Sequence, residues 1–120
     1  MAVINQDGTL NKIANPAQPG TIVSIWATGF GLAGPPVDGA VETAANNYCS
    51  NCQITLNDGS KSVTETVEYA GTSPGLIDGV TQINFALPAQ LSYPSGGAWV
   101  YFSAPGYSQP LTIGWVNVSP

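Results

Sequence analysis

The sequence has no histidine, no arginine and only two lysines against seven acidic residues, giving a net charge of -5 and an isoelectric point near 4.1. Without histidine it lacks the commonest general base and the commonest metal ligand. With so few cations it lacks the groups that neutralise phosphates, which excludes most nucleic-acid binding. Charged residues are 8% of the chain, against roughly 25% in an ordinary soluble domain. Ser, Thr, Asn and Gln stand in their place. No stretch approaches the roughly 18 consecutive apolar residues of a membrane span, so no membrane insertion is expected. A signal peptide is also missing after Met1, which has neither a basic start nor a long apolar run behind it. Met1 therefore reads as an initiator on a domain excised from, or terminal to, a larger secreted protein that holds the export signal itself.

What is present is a chain of 120 residues with 43% hydrophobic residues, 14 Gly and 10 Pro, enough for one domain with a real core. Almost every window long enough for a helix is broken by Gly, Pro or a β-branched run. Strands are predicted instead over 2–5, 21–28, 53–57, 62–70, 80–87, 98–103 and 111–118, separated by turn residues such as Asp7-Gly8 and Asn57-Asp58-Gly59-Ser60. Strand 80–87 alternates most cleanly, with Ile83, Phe85 and Leu87 inward. In the last strand the apolar parity changes between Trp115 and Val116, and Gly114 is expected to mark a β-bulge. About seven short, unequal strands, with a long loop over 31–51 that suits a crossing between sheets, favour an all-β two-sheet sandwich over a barrel.

The order of several short pieces is specific as a set. Asn5-Gln6-Asp7-Gly8-Thr9-Leu10-Asn11, Ala14-Asn15-Pro16-Ala17 and Pro19-Gly20 lead into a strand ending Ala27-Thr28-Gly29-Phe30-Gly31. Tyr69-Ala70-Gly71, Ser73-Pro74-Gly75-Leu76, Gln82-Ile83-Asn84-Phe85 and Leu87-Pro88 follow. From about Val3 to Val118 the chain resembles the C-terminal domain family of large secreted proteins of Solibacter-type acidobacteria. The resemblance implies an immunoglobulin-like β-sandwich at the end of an exported protein, with no assigned activity and no catalytic residues. Residues 46–52 depart from the family's Pro-rich loop. Physically, Tyr69 is expected to fill the core with its hydroxyl tied to a loop carbonyl.

Cys49 and Cys52 form a CxxC pair. Zinc would need two further ligands, and no other Cys and no His exists. A redox site normally opens a helix in an α/β fold. A local disulfide in an oxidising compartment is the expected state. Of the acids, Asp7, Asp38, Asp58 and Asp78 each precede Gly, where Asp supplies the side-chain hydrogen bond of a turn. Calcium is disfavoured by the absence of D-x-D-x-D spacing. Glu65 and Glu68, three apart on a strand, would point to opposite faces, which argues against a glycosidase pair. An isopeptide bond from Lys12 or Lys61 would need the lysine buried beside a carboxylate. Neither a metal nor any other cofactor is expected.

The aromatic residues Trp26, Trp99, Trp115, Tyr48, Tyr93, Tyr101 and Tyr107 are the remaining candidates. Trp26 and Trp115 are expected in the core. Tyr93 and Tyr107 lie in Pro/Gly-rich loops, where exposure is expected, and with Trp99 they would make a sugar-stacking platform. Two functions follow. The first is a non-catalytic structural or adhesive module of an extracellular or cell-surface protein, whose partners are neighbouring domains or copies of itself joined at strand edges. The second is a carbohydrate-binding module that uses Tyr93, Trp99 and Tyr107.

Overall fold

A computed structural model describes residues 2–28, 51–72, 80–104 and 109–119. Eight strands follow one another: β1 (Ala2–Ile4), β2 (Ile22–Thr28), β3 (Gln53–Asn57), β4 (Ser62–Thr66), β5 (Tyr69–Thr72), β6 (Val80–Ala86), β7 (Gly97–Ser103) and β8 (Leu111–Asn117). They form two four-stranded sheets, ordered β1-β2-β6-β5 and β4-β3-β7-β8, with every pairing antiparallel. Taken as A, B, C, C′, D, E, F and G, these are the A-B-E-D and C′-C-F-G sheets of an immunoglobulin-like sandwich. The link from β2 to β3 crosses between sheets, as the long loop suggested, and its residues 29–50 lie outside the described set.

Alternation along the strands explains the core. Val23 and Ile25 of β2, Ile54 and Leu56 of β3, Ile83 and Phe85 of β6, and Val100 and Phe102 of β7 are all fully buried between the sheets. Val116 and Val118 join them from the last strand because of a bulge. Val100 pairs with Gly114 but Tyr101 pairs with Thr112, so Ile113 is the extra residue and packs against the core. Gly114 has a φ of 153°, which a side chain rarely tolerates. The shift leaves Trp115 on the outer surface. It accounts for the change of parity seen in the sequence.

One strand assignment needs correction. The stretch 62–70 is not a single strand, because β4 pairs with β3 while β5 pairs with β6. The switch of sheets falls between two neighbouring residues: the Val67 amide donates to the Cys52 carbonyl at 3.1 Å, and the Glu68 amide donates to the Asn84 carbonyl at 2.8 Å. That split turns about seven strands into eight.

The edges at β1 and β4 and the end of β8 are occupied or guarded. Beside β1, Leu10 bridges to Ile4 and the Asn11 amide donates to the Val3 carbonyl at 2.9 Å. Asn11 also reaches the end of β8, donating to the Asn117 carbonyl at 2.7 Å and accepting from its amide at 2.9 Å. At the same carbonyl the Ala17 amide donates at 2.9 Å. Asn5, Thr9 and Asn15 complete this network, giving the Asn-rich opening segment a structural role. On edge strand β4, Glu65 shares the inward side with Val63, and a charge in that position discourages pairing with another edge.

Candidate functional site

Tyr93 is fully buried, which corrects its expected place on an exposed loop. Its hydroxyl donates to the Pro88 carbonyl at 2.7 Å across the connection from β6 to β7. This is the tyrosine corner of immunoglobulin-like domains, and a Pro/Gly-rich loop can bury a tyrosine when the loop itself folds over the end of the sandwich. Tyr93 holds a left-handed φ of 50°, and its carbonyl accepts from the Gly96 amide at 2.9 Å. Burial, followed by the negative charge of Asp58, pushes its phenol up to about 12. The hydroxyl is thus a fixed donor.

Asp58 joins the β3–β4 turn to the same corner. One carboxylate oxygen accepts from the Ser60 amide, the Ser60 hydroxyl and the Lys61 amide, each at 2.9 Å. The other accepts from the Ser92 amide at 3.2 Å and the Tyr93 amide at 3.1 Å. These donors, led by the Ser60 amide, outweigh desolvation and hold the carboxyl at about 2, below its ordinary 3.8. A depressed carboxyl stabilises the fold above its unfolded value and loses that contribution as the pH falls through its folded value. Urea midpoints of the protein are therefore expected to fall between about pH 4 and pH 2, with Asp7, lowered by its bonds from Thr9, acting in the same direction. Asp58→Asn should be less stable at pH 7 and flatter across that window; equal slopes for the two proteins would contradict this assignment.

Trp99 is 48% exposed and packs edge-on against Trp115, with ring centroids 5.5 Å apart and planes 77° apart. Trp115 is half-buried on the outer face of the β4-β3-β7-β8 sheet, and Trp26 is half-buried on β2, so neither is a core residue. Both rings sit at strand positions that alternate with the inward apolar residues. The outer face is built by register. One row across the strands is Ser62, Asn57, Trp99 and Trp115; the next is Thr64, Thr55, Tyr101 and Thr112. The Thr55 and Thr64 hydroxyls are 2.8 Å apart and hydrogen-bonded. No residue in either row is charged.

The indole of Trp115 is held from two sides. Its Nε1–H donates to the Asn117 side-chain oxygen at 3.2 Å. Below it, Gly97 has no side chain to lift the ring, since a Cβ there would come within 2.8 Å of Cε2 and Cζ2 of the indole. An open hollow of about 300 Å³ adjoins Trp115 and is flanked by Ile13, which is 89% exposed. A second, of about 440 Å³, lies among Asn5, Gln6, Asp7 and Asn15. Their side chains are engaged in local hydrogen bonds, including one from the Ile22 amide to Gln6 at 2.8 Å. That hollow belongs to the structural network.

Of the remaining candidates, Tyr107, Tyr48 and Cys49 lie outside the described residues, as do Asp38 and Asp78. Cys52 is fully buried just before β3 and is not a free cysteine. Lys12 and Lys61 are exposed, which removes the burial that an isopeptide bond requires. Tyr69 is half-buried in β5. Among the described residues no three His, Cys, Asp or Glu side chains gather as a metal site would need. Tyr101 and Trp115 join Trp99 on the face, although the sequence left Tyr101 without a place and put Trp115 in the core. The bulge at Gly114 was the available signal for Trp115. Comparison with protein-family models, with curated proteins and with solved structures returns no match.

Proposed function

We propose that the chain is a non-catalytic adhesive module of an extracellular or cell-surface protein, and that it works through the outer face of the β4-β3-β7-β8 sheet. The observation that carries this reading is the composition of that face: the exposed Trp99 paired with the half-buried Trp115, surrounded by hydroxyl and amide side chains, with no charge in either row. Exposed aromatic groups are where binding energy concentrates. The guarded edges at β1 and β4, with the occupied end of β8, favour the face over edge-to-edge pairing of copies. Export is supported by the resemblance to C-terminal domains of secreted Solibacter-type proteins and by a Cys49–Cys52 disulfide, which we include in the proposal. Alkylation of both cysteines without prior reduction would contradict that bridge.

The test is adhesion. Beads coated with the protein are expected to attach to insoluble material, and Trp99→Ala is expected to remove most of the attachment while the protein still melts cooperatively. Attachment that survives Trp99→Ala unchanged, or that occurs only between coated beads, would overturn the reading.

A further inference from the structure

We propose that this sheet face binds a neutral polysaccharide laid across the strands, with Trp99 and Trp115 as the stacking surface and Tyr101, Thr55 and Asn57 as its hydrogen-bonding neighbours. The inference rests on the reading that the face is the adhesive surface, and it names the ligand class.

Geometry and chemistry support it together. Strands lie about 4.8 Å apart and residues two apart on one strand about 7 Å, so the two rows form parallel tracks across the sheet. A chain following the first track meets Ser62, Asn57, Trp99 and Trp115 in order, with Thr64, Thr55, Tyr101 and Thr112 alongside. A pyranose ring presents a face of C–H groups and a rim of hydroxyls. Its C–H face suits the exposed indole of Trp99, whose own ring stands at 77° to that of Trp115 and makes a corner. Its hydroxyls both donate and accept, as do the hydroxyls and amides beside the rings. The Asn117 hydrogen bond fixes the Trp115 ring before any ligand arrives, which lowers the ordering cost of binding.

Charge decides between sugar classes. Carboxylated or sulfated polysaccharides are recognised through Arg and Lys. This chain has no Arg, neither Lys lies in the two rows, and its net charge of -5 repels a polyanion. The complementary partner is uncharged.

The purified protein, itself an anion, can be run on native gels containing hydroxyethyl cellulose, mixed-linkage β-glucan, arabinoxylan or galactomannan, with alginate as the anionic control. Retardation that rises with the concentration of at least one neutral polymer is expected, with none in alginate. Trp99→Ala should weaken that binding at least about tenfold while the protein still melts cooperatively. Tyr101→Ala should weaken it less, and Ser24→Ala on the other sheet not at all. Failure of every neutral polymer to retard the protein, or equal retardation of Trp99→Ala, overturns the proposal. If polymers fail while Trp99→Ala still abolishes bead attachment, the ligand class is wrong and the adhesive face stands. If Trp99→Ala changes neither, both are wrong.

Discussion

Replacing Tyr93 with alanine is expected to destabilise the domain by about 3–5 kcal/mol, the cost of emptying a large aromatic site in a packed interior. Tyr93 is the largest of the fully buried side chains among the described residues, so the surrounding loop cannot close over the space without moving. Total stability for a domain of this size is about 5–15 kcal/mol, so the variant would be near the limit of folding, with a Tm lower by roughly 10–25 °C. Tyr93→Phe separates packing from hydrogen bonding. It keeps the ring and strips the Pro88 carbonyl of its donor, at an expected cost of about 1–2 kcal/mol. Thermal melts of the two variants check both numbers. A Tyr93→Ala protein that melts within a degree or two of the wild type would show that the corner is not buried, and would return Tyr93 to the surface.

Gly97→Ala is expected to be strongly destabilising. The new Cβ would overlap the Val116 carbonyl oxygen, which is backbone and cannot yield, as well as the Trp115 ring. Forced overpacking of this kind costs about 1–3 kcal/mol, and the backbone overlap places this case at the upper end. Because the ring must also lift, tryptophan emission should shift along with the fall in Tm. An alanine variant with the wild-type melt and spectrum would mean that Trp115 does not lie over Gly97.

Strands came readily from the sequence wherever alternation and turn chemistry agreed. The cleanest case is β6, where Ile83, Phe85 and Leu87 are buried as the pattern required. Gly114 marked its bulge because two apolar parities met there. The passage from β4 to β5 was invisible, since Val63, Val67 and Tyr69 keep one parity through the switch and no Gly or Pro interrupts them. What changes at Val67 and Glu68 is the hydrogen-bond partner, from β3 to β6, and that is a tertiary fact. Tyr93 was misread for a related reason. Composition places a residue in a loop, but only the fold decides whether that loop covers the core. Trp99 was recognised as a candidate, whereas its neighbours on the face come from pairings between strands far apart in sequence, β3 with β7 above all.

The most direct test of the working face uses the three tryptophans as reporters, because each gives its own indole N–H signal in a nitrogen-15 spectrum. Trp99 and Trp115 lie on the β4-β3-β7-β8 sheet and Trp26 on the other, which makes Trp26 an internal control. Titration with a neutral polysaccharide that retards the protein is expected to shift the Trp99 and Trp115 signals and leave Trp26 in place. Movement of Trp26 alone, or binding that moves none of the three, would contradict the assignment of this face.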